Sequence, residues 1–384
     1  MSNEYTQRKI DDFNLNASLS IPNSERDLLV EVSEWSKKGY QYLKEKRISD
    51  AIECFNKILT LDKNNSYALV GMGDAFRKWG AFQEAVSYYQ RCLNSHPGNN
   101  YTLFGLADCY KMLNQYRKAI EIWEQYLHHD DKNITVLTRI ADAYRKVHDF
   151  RRSKAMYLRV LTMEERNPYA IIGLGHLHYD FKEYHNALFY WGKMLELDLD
   201  NVDIRVLTSI GNCHRKLKTF TEGILYFDKA LRRDPYNFYA LFGLADCYRG
   251  LNQQNRSLEY WNRILEQDPR NKVILTRAGD AYRNQGDHER ATEYYERALN
   301  VEFDTYAVLG LALVARNQGK HEEAIASFHR LILQAPRNHR FYLEMADCYI
   351  KKGETDNAIE TLEEFQRFGI RSSPIIERLE QLKS

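Results

Sequence analysis

An all-α solenoid of about ten helical hairpins, closed by a C-terminal capping helix, is the fold that three features of this 384-residue chain predict. A pattern returns about every 34 residues, in units starting at Val32, Ser66, Asn100, Ile134, Pro168, Ile204, Phe238, Lys272, Thr305 and His339. Small residues recur at positions 8 and 20 of the unit, as in Gly73 with Ala85 and Ala107 with Ala119. Four of the seven prolines (Pro97, Pro235, Pro269 and Pro336) fall at position 32. A helix must stop there, because proline lacks the amide and clashes with the preceding turn.

The elements follow in chain order. Residues 1–31 read as a polar N-terminal arm, partly disordered, in which Ser24 and Asp27 offer a start for a helix running into Trp35. Residues 32–372 hold the ten repeats. At about 100° per residue, positions 4, 7, 8 and 11, such as Leu103, Leu106, Ala107 and Tyr110, share one face of a first helix. Positions 20, 24 and 27, such as Ala119, Trp123 and Tyr126, share one face of a second helix, after a short polar turn. Small residues at 8 and 20 let the helices approach, and each hairpin must stack on its neighbours to cover its apolar face. Residues 373–384 read as the capping helix, with Ile375, Ile376, Leu379 and Leu382 on one stripe.

Composition bounds the function. The 54 Lys and Arg against 53 Asp and Glu leave a net charge of +1, which gives no global field to draw in nucleic acid or an anionic membrane. The six cysteines are scattered, without CxxC, and suit reduced structural thiols. No run of about 18 apolar residues occurs, and the first residues lack the apolar core of a secretory signal. A cytoplasmic location is the expectation.

The pattern resembles that of the tetratricopeptide repeat (TPR) family: Trp or Leu at 4, Gly or Ala at 8, Tyr at 11, Ala at 20, Phe or Tyr at 24 and Pro at 32. The resemblance covers residues 32–372 and implies a right-handed superhelix whose first helices line a concave, protein-binding wall. His178 and His214 depart from it at position 11, as does Ala315. Gly223, Ser153 and Ser257 depart at position 20, and these units are expected to be looser.

A longer period overlies the first. Residues 101–146 match residues 239–284 at 24 of 46 positions, with FGLADCY in both. The offset is four units plus two residues, which are placed at Val202 and Asp203.

Positions 2, 5, 9, 12 and 13 project away from the buried sector and predict an exposed stripe. Its candidate peptide-binding residues are Tyr67, Asp74, Arg77, Tyr101, Phe104, Asp108, Lys111, Asp142, Arg145, Tyr169, Asn212, Arg215, Tyr239, Phe242, Asp246, Arg249, Asp280 and Arg283. Carboxylates and guanidinia can hydrogen-bond an extended backbone, while Tyr and Phe give contact area at low entropic cost. The stripe resembles the asparagine ladder of O-linked N-acetylglucosamine transferases, with Asp mostly in place of Asn. The Lys–Asn pair of the family's chaperone-binding clamp is absent. A competing reading makes Asp at 9 and Arg at 12 an i,i+3 pair, about 0.2–0.5 kcal/mol each, that stiffens the stack. If the carboxylates only touch ligand, Asp108→Lys with Asp246→Lys abolishes partner capture and leaves the thermal midpoint nearly unchanged.

Catalytic motifs are missing: no HExxH, Walker loop, GxSxG or GxGxxG occurs. His176, His178, Asp180 and His185 are read as structural, not as a metal site, and the basic run 145–154 as a solvated loop. The expectation is a non-enzymatic protein-interaction scaffold, without cofactor or metal, that binds an extended peptide segment of a protein partner. Nucleic acid and membrane partners are not expected. The alternative is a self-associating assembly module, a homo-oligomer whose groove is empty.

Overall fold

The computed structural model describes residues 23–197 and 202–383, with side chains from residue 28. Within them the chain is all α-helix, in 21 helices. Contacts divide it into two compact units, Met1–Glu183 and Tyr184–Ser384, and the division falls inside repeat 5. The first unit holds α1 (Asn23–Lys44), α2 (Ile48–Leu61), α3 (Ser66–Trp79), α4 (Phe82–Ser95), α5 (Asn100–Met112), α6 (Tyr116–Leu127), α7 (Ile134–Lys146), α8 (Phe150–Met163) and α9 (Pro168–Asp180). The second holds α10 (Tyr184–Leu197), α11 (Ile204–Lys216), α12 (Phe220–Arg233), α13 (Phe238–Gly250), α14 (Gln254–Gln267), α15 (Lys272–Gln285), α16 (His288–Val301), α17 (Thr305–Asn317), α18 (His321–Gln334), α19 (His339–Lys352), α20 (Thr355–Gln366) and α21 (Ser373–Lys383).

Successive helices pack antiparallel within each unit, and first helices also touch the first helix of the next hairpin, as α3 with α5 and α11 with α13 do. Nine of the ten hairpins are pinned by a buried ring at position 24, and repeat 10 has the buried Leu362 there. Tyr89 and Tyr157 in the first unit, and Phe227 and Tyr295 in the second, are buried. A Cβ at Gly105, Gly173, Gly243 or Gly310, at position 6 of the following repeat, would stand 2.2–2.5 Å from those rings. Around Phe227 and Tyr295, position 6 is a closer approach than position 8, where a Cβ at Gly211 or Gly279 would stand 2.8 or 2.7 Å away; around Tyr89, Gly73 and Gly105 are equally close at 2.5 Å.

Asparagine side chains cap most first helices: Asn65, Asn99, Asn133, Asn167, Asn237 and Asn271 each accept from the third backbone N–H onward. Asp203 caps α11 by accepting from the Arg205 N–H, two residues on, and Val202 before it is buried, so the inserted pair starts the helix. The hairpin turn places position 15 in the left-handed region in all ten repeats. Glycine fills it at 80, 286, 319 and 353, but Lys46, Asn114, His148, Lys182, Lys218 and Asn252 adopt it as well.

The helix expected to start at Ser24 and run into Trp35 is α1, which begins at Asn23, so residues 23–31 are helical; residues 1–22 lie outside the described residues. Two expectations are corrected. Ser153 and Ser257 do not loosen their units: both are fully buried and donate to the carbonyls of Ala141 and Ala245, at 2.8 and 2.9 Å, so the polar group is satisfied where Ala would stand. Gly223 fills a tight place too, since a Cβ there would come 3.2 Å from the Gly211 carbonyl. At the C-terminus α21 buries Ile375 and Leu379 against the last hairpin.

A candidate protein-binding face

The first helices carry the candidate residues, and position 2 is the most open. Tyr67, Tyr101 and Tyr169 in the first unit, with Tyr239 and Tyr306 in the second, are exposed by 42%, 46%, 75%, 68% and 73%. These are large apolar rings left to solvent at one register. One turn on, Phe104 and Phe242 are half-buried, and each carries an arginine from position 6 of the next repeat over its ring. Arg139 lies 4.8 Å from the Phe104 centroid and Arg277 lies 5.7 Å from that of Phe242.

Position 9 is less open than the helical projection suggests. Asp74, Asp142 and Asp280 are half-buried, while Asp108 and Asp246 are only 8% and 6% exposed. A projection of one helix cannot see that the next hairpin covers this side. Each carboxylate has partners. Tyr89, Tyr157 and Tyr295, from position 24 of the same hairpin, donate to Asp74, Asp142 and Asp280 at 2.7, 2.6 and 2.8 Å. The arginines three residues on add ion pairs: Arg77 at 2.9 Å, Arg145 at 3.5 Å and Arg283 at 3.6 Å. Arg145 also reaches Asp180 at 2.5 Å.

Where position 24 is Trp123 or Trp261, no hydroxyl is available, and arginines supply the charge. Asp108 is bound by Arg139 and lies 3.9 Å from Arg77. Asp246 takes Arg215 at 2.6 Å and Arg249 at 2.8 Å, with Arg277 at 3.8 Å. Asn212 accepts from Arg215 at 3.2 Å. Lys111 is half-buried and makes no ion pair among the described residues. In repeat 10, Asp347 is held by Arg378 of α21 at 2.5 Å.

These environments set the titration. Burial and the charge of Asp74 raise the Tyr89 hydroxyl well above the ordinary phenol value. Burial opposes ionisation of Asp246, but Arg249, Arg277 and Arg215 outweigh it and hold the carboxyl below its usual range. The thiols of Cys109, Cys213 and Cys247 are buried and pushed up to about 12 by that burial, which leaves them unreactive at neutral pH. His178 fills the buried slot at position 11, with Nδ1 2.6 Å from Glu183 Oε2 and its ring edge-on to Phe150. Among the described residues no three His, Cys, Asp or Glu side chains stand together as a metal would require.

The family described as the Psidin N-terminal TPR repeats region matches residues 37–173. Three tetratricopeptide repeat families match residues 204–237 and 274–305, 226–259, and 315–366. The chain is a tetratricopeptide repeat protein.

No curated protein matches the TPR chain significantly. Its fold is similar to that of a TPR protein from Parabacteroides merdae, at 17% identity over 74% of this chain and 98% of that one, with a TM-score of 0.42. Yeast Tom70 is similar at 16% identity over 92% and 95%, TM-score 0.41. YrrB, described as a TPR protein with an unusual peptide-binding site, is similar at 19% identity over 48% and 95%, TM-score 0.42. TPR proteins serve in general as protein-interaction scaffolds, and this general role is what membership of the family supports for the chain. Among the described residues no helix is long and apolar enough to cross a membrane.

Sequence reasoning placed the stripe but missed its second-helix and next-repeat partners: the tyrosines at 24 and the arginines at 6. The signal was present, because Arg139 and Arg277 occupy equivalent places in the duplicated block.

Proposed function

We propose that the first-helix face of each unit binds an extended segment of a partner protein through its aromatic row. The exposure of Tyr67, Tyr101 and Tyr169, and of Tyr239 and Tyr306, at the same repeat position carries this reading. Five tyrosines are not needed there to close the core, and amphipathic rings of this size are the side chains that dominate protein contacts. Phe104 and Phe242, each under an arginine, extend the apolar surface inward. The carboxylates are given a different role from the one expected. Held by tyrosine and arginine, they lock the arginines of the face in position and touch the partner little. The proposed site is thus, in the first unit, Tyr67, Tyr101, Phe104 and Tyr169 with Arg77, Lys111 and Arg145, and, in the second, Tyr239 and Phe242 with Arg215, Arg249 and Arg283. Asp74, Asp108, Asp142, Asn212, Asp246 and Asp280 stand behind it.

Replacing Tyr101 and Tyr239 with Ser tests the reading. The double variant keeps its helicity and melting temperature and loses capture of the partner that the wild type retains from native lysate. Undiminished capture refutes it. A second reading, self-association, draws support from α1, where Leu28, Leu29 and Val30 are consecutive exposed apolar residues. Light scattering of the Leu29→Ser chain against wild type separates the two.

A further inference from the structure

We infer that the three arginines around Asp246 form an anion-recognition site in the second unit, which takes a carboxylate side chain of the partner segment. This rests on the aromatic face proposed above and adds the chemistry of its ligand.

The two halves of the duplicated block differ at this place. In the first unit, Arg77 spends its charge on Asp74 at 2.9 Å and lies 3.9 Å from Asp108. Counted 138 residues on, Asn212 replaces Asp74 and Arg249 replaces Lys111. One carboxylate has gone and the cations remain. Three guanidinia, Arg215, Arg249 and Arg277, now surround the single carboxylate of Asp246.

Asp246 cannot serve all three. Its Oδ2 accepts from Arg215 at 2.6 Å, and its Oδ1 accepts from Arg249 Nη2 at 2.8 Å and Nε at 3.1 Å. Arg277 stays 3.8 Å away, beyond hydrogen-bond distance, and its buried Nε has no acceptor. Stacking over Phe242 holds its planar head in place, so the donors are fixed before any ligand arrives. Three cations against one anion leave a local surplus of two positive charges, with Tyr239 exposed one turn before Phe242. A carboxylate fits that fork with paired N–H donors, and the ring beside it takes an apolar neighbour in an extended chain. A partner segment with Asp or Glu beside Tyr, Phe or Leu is the ligand class.

The test uses the full chain and three labelled pools of short peptides that alternate apolar residues with Glu, with Gln, or with phosphoserine, read by fluorescence anisotropy at low salt. The Glu pool is expected to bind about tenfold more tightly than the Gln pool. Arg277→Gln lowers affinity for the Glu pool about fivefold, and Asn212→Asp, which restores the missing carboxylate, lowers it about threefold. Both leave Gln-pool binding unchanged; Arg277→Gln leaves the melting temperature unchanged, Asn212→Asp, which sets a carboxylate opposite the Phe227 ring, lowers it modestly, and Lys229→Gln on the second helix α12 changes neither affinity nor melting temperature. Equal binding of the Glu and Gln pools, or no effect of the two variants, overturns the inference and leaves the aromatic face standing, provided Tyr239→Ser still releases both pools. A phosphoserine pool that binds more tightly than the Glu pool overturns the carboxylate assignment in favour of phosphate. Failure of every pool to bind overturns this inference and the aromatic face together.

Discussion

The Tyr89 hydroxyl donates to Asp74 Oδ1 at 2.7 Å, joining the second helix of repeat 2 to the first. The same bond recurs from Tyr157 to Asp142 and from Tyr295 to Asp280, and in all three cases position 6 of the next repeat is glycine, beside the tyrosine ring. When position 24 is Trp123 or Trp261, position 6 holds Arg139 or Arg277, which faces the aspartate instead. When it is Phe227, beside Gly243, the residue at 9 is the neutral Asn212. A charged residue thus stands at 9 only where a hydroxyl or a guanidinium can face it, as burial of a carboxylate demands. Tyr89→Phe removes one donor and is expected to cost about 1 kcal/mol in chemical denaturation. Adding Asp74→Asn, which reproduces the Phe227 and Asn212 pair, returns part of that loss; a double variant less stable than Tyr89→Phe alone would contradict the rule.

Asp108 and Asp246 are hubs, so their replacement is a stability experiment. Asp246→Lys puts an ammonium among three guanidinia and is expected to cost about 3 kcal/mol, seen as a lower urea midpoint. The sequence expectation for Asp108→Lys with Asp246→Lys, loss of capture with unchanged stability, gives way to loss of stability. An unaltered midpoint would show that the arginines reorganise freely.

The hairpin turns offer a gain. Lys46 and Lys218 hold φ of 62° and 61°, where a Cβ meets the carbonyl, and both are exposed. Lys218→Gly and Lys46→Gly should each stabilise by about 1 kcal/mol. Gly286→Lys should destabilise by a similar amount, since Gly286 has φ 83°. Thermal midpoints of the three variants check both signs.

His214 gives a pH dependence. Burial holds its imidazole below the usual value, with Glu222 acting in the opposite direction, and its ring stacks on Tyr226. The unfolded chain therefore binds the proton more readily than the folded one. The stability that follows is complete above about pH 6.5 and is lost as pH falls through the folded value. His214→Tyr, which restores the residue usual at position 11, should lose less stability between about pH 7 and 5 than wild type does. Parallel losses would contradict this.

The period, the prolines at 32 and the paired small positions made the hairpins legible, because each records a contact within one repeat. The stripe was legible only where a single helix decides exposure, as at Tyr101 and Tyr239. Position 9 was misjudged because its cover comes from elsewhere: the ring of Tyr89, the guanidinium of Arg139 and the adjoining first helix. The left-handed turn residue was signalled by Gly80, Gly286, Gly319 and Gly353 at one register, yet hidden where lysine or asparagine takes the same conformation. The division falls within repeat 5, where the sequence breaks the carboxylate ladder at His176 and the two-residue insertion at Val202 and Asp203 follows, although the turn before Tyr184 is itself an ordinary polar one.

The central claim is that the partner lies on the aromatic row of the first helices. Photo-crosslinking measures this directly: benzoylphenylalanine is placed at position 101 or 239 and, for comparison, at the exposed Leu225 on the second helix α12. The account predicts that one partner is crosslinked from 101 and 239 and that the second-helix probe yields none. Adducts from Leu225 alone, with none from the tyrosine positions, would contradict it.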